Sequence, residues 1–316
     1  MKVYFWGTRG SLPVSLTARE VRTKIAAAIR EAVQHNFSNG TDIENFIDEK
    51  LPFFIRGSYG GNTSCVEIRG GDEYILCDAG TGLRDFGNYI IGRGVGKSVY
   101  NIFMSHLHWD HIQGFPFFVP AFIPGNQINI YSFHPELEDS FHKQQKTPSF
   151  PVPLDSMAAE KRFIVLETGR EYQIGGWAVS GIRQNHPGDS YGYCFERDGK
   201  KIVYSTDSEH MEDVWNNEQP IISFFRNADL LIFDSQYSFM ESTHMKENWG
   251  HSSNLLGVEL SVAADVKYLC LFHNEPACND ETLDRFLEKT KKYLKIYSDT
   301  SPLKICLAYD GLEIEV

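Results

Sequence analysis

Apolar and polar positions along this chain follow two periods, and the switches between them mark its elements. Residues 2–6 (KVYFW) form an apolar run ending at GTRGS, where two glycines and a serine supply a turn, so a first strand is predicted. From Thr17 to Phe37 the pattern changes: Val21, Ile25, Ile29, Ala32, Val33 and Phe37 recur at helical spacing with charged residues between them. Ile43, Phe46, Ile47 and Leu51 repeat that spacing over Asp42 to Leu51. Residues 17–51 are therefore expected to form a helical insertion. Its plain role is to cap the core; its alternative role is to cover a pocket or to make a dimer contact.

Beyond the insertion the runs shorten. SCVEIRG and EYILCDAGTG read as paired strands with a turn at Gly70 and Gly71, and SVYNIFMSH is an apolar run that ends at a cluster of histidines. NQINIYSF and RFIVLE are further strands, and YQIGGWAVSGIRQNH is hairpin-like and leads into His186. GYCFERDGKKIVYSTDSE is a hairpin turning at Asp198 and Gly199 and delivering Asp207. ADLLIFDSQY delivers Asp234, a helix is expected over Ser253 to Ala264, and VKYLCLFHNEP delivers His273. ETLDRFLEKTKKYLKIY has the spacing of a helix, and PLKICLAYDGLEIEV closes the chain with strands. Two halves, each of strands then helices, predict a layered α/β sandwich. No flexible linker stands between residues 57 and 316, so a single domain over 1–316 is expected, with 17–51 inside it.

Composition narrows the partners. A chain of 316 residues with 42% hydrophobic and 23% charged positions has the makings of an ordered globular core. A formal charge of -12, without a long lysine or arginine run, argues against a surface that tracks long nucleic acid. It leaves room for a small anionic substrate, because bound divalent cations reverse the local potential of a site. The start lacks the pattern of a secretory signal, and the most apolar stretch, Gly114 to Pro124, is too short and proline-broken to span a bilayer, so no membrane association is expected. Six cysteines without a CxxC pair read as reduced thiols, and the cytoplasm is the expected compartment.

The segment SHLHWDH concentrates His106, His108, Asp110 and His111, and a tight loop after a strand can turn such side chains around one or two ions. Imidazoles suit zinc, manganese or iron, and a carboxylate supports a second ion. His186, Asp207 and His273, each at the end of an apolar run, extend the set.

SHLHWDH, preceded by ILCDAGTG, resembles the HxHxDH signature of the metallo-beta-lactamase fold, particularly its phosphodiesterase and transfer-RNA 3′-processing nuclease branch. The resemblance covers residues 1–15 and 56–313, with the insertion departing from it. It implies a four-layer αββα sandwich with an N-terminal helical insertion, and two divalent metal ions, zinc by default and manganese as the alternative. His106, His108 and His186 would hold one ion and Asp110, His111 and His273 the other, with Asp207 bridging and Asp78 supporting the loop. His251, in NWGHSS, would be the general acid near a scissile phosphate, oriented by Asp234; Asp110 is counted with them as catalytic. A histidine suits this task because its ordinary pKa is about 6.5.

GTRGS and RGSYGGNTS resemble the opening of small-molecule members of that branch, including cyclic-phosphate and cyclic-nucleotide phosphodiesterases. Asn62, Gln113 and Phe115 are expected at the substrate pocket, with Phe117, Phe118 and Phe122 as further aromatic faces; core packing is the competing role for the phenylalanines. The expected activity is hydrolysis of a small phosphodiester, with no long nucleic acid and a homodimer as the alternative assembly. Ester, thioester or lactam hydrolysis, RNA cleavage, and a metal-stabilised ligand sensor without turnover are the alternatives.

Overall fold

The runs read as strands assemble into two sheets in the computed structural model, which describes residues 1–210, 220–237 and 249–316. In the first sheet the order is β14 (Glu313–Glu315), β1 (Lys2–Gly7), β2 (Cys65–Arg69), β3 (Tyr74–Cys77), β4 (Val99–Phe103), β5 (Gln127–Ser132) and β6 (Glu160–Val165). The second runs β13 (Lys304–Leu307), β12 (Tyr268–Phe272), β11 (Leu230–Asp234), β10 (Lys200–Ser205), β9 (Ser190–Arg197), β8 (Trp177–Gln184) and β7 (Glu171–Ile174). Both sheets mix parallel and antiparallel pairs. Their inner faces meet through Phe5, Phe103, Trp177, Tyr193, Phe195 and Phe272, all fully buried. Each such side chain contributes about 1.5–3 kcal/mol by leaving water.

Helices cover the outer faces. On the first sheet lies α4 (Gly82–Gly92), whose Leu83, Phe86 and Ile90 join Phe118 in an outer core. Glycines at 82, 87 and 92 give this segment a composition that does not announce a helix. Gly87 is there for closeness, since a Cβ would stand 2.9 Å from the Phe118 ring. On the second sheet lie α8 (Asn254–Ala263) and α9 (Asp280–Tyr297), burying Val258, Leu260, Leu283 and Leu294. The result is the four-layer αββα sandwich that the resemblance implies. Short helices α5 (Trp109–Ile112), α6 (Leu137–Gln144) and α7 (Pro220–Phe225) lie between the strands.

Strand direction decides where chemistry collects. β3, β4 and β5 are parallel neighbours in one sheet, and β10, β11 and β12 in the other. Their C-terminal ends open at one edge of the sandwich, which is where α/β folds place ligands. Asp78, His106, Asp207, Asp234 and His273 all stand at or just beyond those ends.

The insertion forms α1 (Ala18–Ala32) and α2 (Gly40–Lys50), and the short α3 (Phe53–Arg56) follows it. A capping box between Thr17 and Glu20 starts α1. The helix stops before the predicted Phe37, because His35 and Phe37 turn back onto the ring of Phe46. The apolar stripe of α1 does not cap the core, whereas α2 buries Phe46. Val21, Ile25, Ile29 and Val33 stand in solvent, Ile29 at 58% exposure, and α1 buries no residue fully. What ties α1 down is polar: the Lys24 ammonium pairs with buried Asp280 at 2.7 Å and donates to the carbonyls of Phe54 and Gly57.

Among the described residues no helix is long and apolar enough to cross a membrane. The proline-broken run at 114–124 instead folds into two 3-10 turns over Phe115–Phe117 and Val119–Phe122, with Phe115 and Phe118 fully buried. All six cysteines are free.

Candidate metal centre

Asp78 organises the loop that follows β4. It sits in the left-handed region at φ 61°, and its carboxylate accepts from the backbone N–H of Ser105 (2.7 Å), the Ser105 hydroxyl (2.8 Å) and the Tyr204 hydroxyl (2.6 Å). The same carboxylate lies 2.8 Å from Nδ1 of His111, which leaves Nε2 of that ring pointing inward. A buried carboxylate with four partners fixes both the turn and the tautomer of the histidine. Ser105 and Tyr204 were not singled out from the sequence; the signal available was that each closes an apolar strand facing the same loop.

Two groups of donors converge. His106, His108 and His186 form one, and Asp110, His111, Asp207 and His273 the other, with the donor atoms of each group within 4.8 Å of one another. Nδ1 of His108 faces Nε2 of His186 at 3.1 Å, and the outer nitrogen of His186 lies 2.8 Å from the carbonyl of Gly250. Asp207 stands between the groups. One oxygen is 3.2 Å from Nε2 of His111 and 3.3 Å from Nε2 of His273, and the other is 3.6 Å from His106 and 3.9 Å from His186. Asp110 turns an oxygen to His111 (3.2 Å) and His273 (3.3 Å) and accepts from the backbone N–H of Ser11 (2.8 Å).

The donor chemistry fits divalent metal. Nε2 of His106 is buried and has no hydrogen-bond partner, although it faces the other donors. Burial first, then neighbouring rings, push His106 and His108 below the ordinary imidazole range, and burial does the same for His186, so their lone pairs are free to coordinate. Burial alone would raise Asp207, but His273, His111 and His106 outweigh it and hold the carboxylate well below its usual range. Among the described residues every ion-pair partner of Asp110 and Asp207 is a histidine. A buried site with two carboxylates and no lysine or arginine against them is one that favours an added cation.

His251 lies against this cluster. It is 7% exposed, its ring stacks on His273 at 5.1 Å between centroids, and it meets His186 edge-on at 5.3 Å. Nδ1 is 2.8 Å from Oδ2 of Asp234, a fully buried carboxylate that also accepts from the backbone N–H groups of Ser208 and Gln236. Burial alone would lower the His251 pKa, but Asp234, with Asp207 and Asp110 behind it, outweighs burial and raises it to about 9. Ser253 caps α8 by accepting from Leu256, which sets the turn carrying His251.

Of the three residues expected at the substrate pocket, one is placed otherwise and two are half-buried and hydrogen-bonded locally. Phe115 is fully buried and packs edge-on against Phe141, so it belongs to the core. The amide of Asn62 donates to Asp85 on α4 at 2.7 Å, and that of Gln113 donates to Thr63 at 3.1 Å. Polar side chains beside a glycine-rich turn close local hydrogen bonds. The exposed apolar surface next to the cluster comes instead from Trp109, at 83% exposure, between two of the donor residues.

A family model described as a beta-lactamase superfamily domain matches residues 73–274, which carry most of the cluster. The chain belongs to that superfamily. Within it, this beta-lactamase superfamily protein is similar to ribonuclease Z of Thermoplasma acidophilum, 28% identical over 236 residues, covering 61% of this chain and 74% of that one. Its fold is shared with the metallo-beta-lactamase fold protein YhfI from Bacillus subtilis (TM-score 0.65, 18% identity, 100% and 98% of the two chains). It is shared as well with the short form of human tRNase Z (TM-score 0.60, 18% identity, 100% and 99%). Membership makes the chain a metallo-hydrolase of the sandwich type, a fold that implies divalent metals, and the histidine and aspartate cluster offers the donors for them.

Proposed function

We propose that the protein hydrolyses a small phosphodiester, a cyclic nucleotide or cyclic phosphate among the candidates, at a centre of two divalent ions, with zinc the first metal to test and manganese the second. His106, His108 and His186 would hold one ion and Asp110, His111 and His273 the other, with Asp207 shared, since each of its oxygens faces one group. Bound ions supply Lewis acidity that lowers the pKa of a water and stabilises charge on phosphoryl oxygens.

The chain's own part is proton delivery and exclusion of water. The observation that carries the reading is the buried pair of Asp234 and His251 beside the donors. Asp234 fixes Nδ1, so Nε2 is the atom left to face substrate, and it gives a proton to the departing alkoxide oxygen. An acyl transfer with a thiolate leaving group has no such need. A ribonuclease Z relative supports phosphodiester chemistry, and RNA cleavage is the second reading on that ground. The charge of -12 favours the smaller substrate.

The test is a product-resolved screen of metal-replete protein on cyclic nucleotides, cyclic ribose phosphates, short RNA, esters and lactams, with His251→Ala alongside. Turnover of a small diester is expected. The variant should lose about 10²–10⁴-fold in kcat with metal content kept, and much less on a p-nitrophenyl diester, whose leaving group needs no proton. An equal loss on both substrates would remove His251 from proton transfer, and turnover of short RNA alone would transfer the reading to a nuclease.

A further inference from the structure

The histidines in the cluster do not all have their outer nitrogen engaged. Nδ1 of His111 meets Asp78, Nδ1 of His186 meets the Gly250 carbonyl, and Nδ1 of His106 lies 3.1 Å from the Ser105 hydroxyl. Nδ1 of His273 is buried and has no partner. An imidazole that coordinates through Nε2 carries its proton on Nδ1 and ordinarily donates it to an acceptor that fixes the ring. Leaving such a donor bare in a dry site costs free energy.

One buried acceptor nearby is equally bare. Oε1 of Gln236 has no partner, and the residue is 6% exposed. Its orientation is determined, because the other end of the amide must be the one that donates to the Glu275 carboxylate (2.9 Å) and the Ser11 hydroxyl (3.3 Å). The two orphaned atoms face the same spot. A Cβ added to Gly10 would stand 2.6 Å from Nδ1 of His273 and 3.0 Å from Oε1 of Gln236. Glycine at position 10 therefore keeps clear the ground between one unmatched donor and one unmatched acceptor.

We infer that Gln236 is the positioning residue of His273, accepting the Nδ1 proton directly or through one water, and that the Gly10–Ser11 turn exists to permit it. Ser11 also holds Asp110 through its backbone N–H and receives the Gln236 amide on its hydroxyl. Gly10, Ser11 and Gln236 thus support two ligands of the same ion, Asp110 and His273, and neither His106 nor His108. This rests on the two-ion reading above, and it adds that the second ion has a support of its own, selectively removable.

The test uses full-length protein loaded with zinc, Gln236→Leu, and the exchanged pair Gln236→Glu with Glu275→Gln, which keeps an acceptor toward His273 and a hydrogen bond between 236 and 275. Chelator competition should show one of two ions bound about 10–100-fold more weakly in Gln236→Leu, the other unchanged, and recovery in the exchanged pair. Nitrogen-15 spectra of the histidines should show a protected Nδ1 proton on His273 in the wild type and the exchanged pair, lost in Gln236→Leu. Two ions held as in the wild type by Gln236→Leu, or an unaltered His273 proton, overturns the assignment. Fewer than two ions in the wild type overturns the two-ion reading instead, and the His273 proton still decides the hydrogen bond.

Discussion

The loop after β4 and helix α1 each invert the usual rule of burial, in opposite senses. In the loop and the strand ends that face it, charged and polar groups are inside: His111 is 0% exposed, Asp207 after β10 2% and Asp234 at the end of β11 0%. In α1, the apolar stripe is outside, and Val33 is 78% exposed. The loop can bear its burial because each group faces complementary partners contributed by six strand ends of the same chain. The helix is tied through Lys24 to buried Asp280, and its apolar face is left in solvent. Polar burial is thus answered within the chain at most atoms of the cluster, with Nε2 of His106 and Nδ1 of His273 left over, while the apolar stripe of α1 is left in solvent along its length.

The largest effect should come from the residue that both donor groups share. Asp207→Ala is expected to lower phosphodiester turnover by about 10³-fold or more, a barrier increase of about 4 kcal/mol, with metal content falling below that of the wild type by elemental analysis. Full occupancy of two ions in this variant would show that the groups bind independently and that the carboxylate only lies between them.

A middle case sharpens the contrast: a half-buried carboxylate, that of Asp310, whose hydrogen-bond partners include no histidine. Asp310 accepts from the backbone N–H groups of Gly61 and Asn62 and from the Thr8 hydroxyl. Burial raises its pKa to about 6, outweighing those bonds and nearby Arg9. Histidines drive Asp207 in the other direction. Because the folded form holds this proton more tightly than the unfolded chain, Asp310 favours folding most below pH 3.8, and that contribution is lost as pH rises to about 6. The change is up to about 3 kcal/mol at 1.36 kcal/mol per unit. Asp310→Asn should flatten the stability profile between pH 4 and 6, read by denaturant unfolding. An unchanged slope would mean that its hydrogen bonds hold the carboxylate charged.

What the sequence made legible follows the same division. SHLHWDH, His186, Asp207 and His273 could be picked out because coordination restricts residue type so narrowly that identity and strand-end position suffice. Gln236 could not, since a lone amide has no such restriction and its importance arises only from an orphaned nitrogen across the fold. Phe115 failed as a pocket residue because an aromatic beside a mouth and an aromatic beneath it have the same pattern. Helix α1 was readable as a helix with a face, since periodicity records local geometry. What covers that face is a question of tertiary contact, on which spacing is silent.

The smallest effect is therefore expected on α1. Ile25→Ser and Ile29→Ser remove side chains that are 55% and 58% exposed, and each should alter unfolding free energy by no more than about 0.5 kcal/mol. The measurement is made at two protein concentrations a hundredfold apart. If the wild type melts higher at the higher concentration and the serine variants lose that dependence, a second copy covers the stripe in solution, because only binding to the folded state links melting to concentration. If neither depends on concentration and the losses stay small, the exposed face of α1 contributes nothing to the fold, and Lys24 with Asp280 accounts for its position.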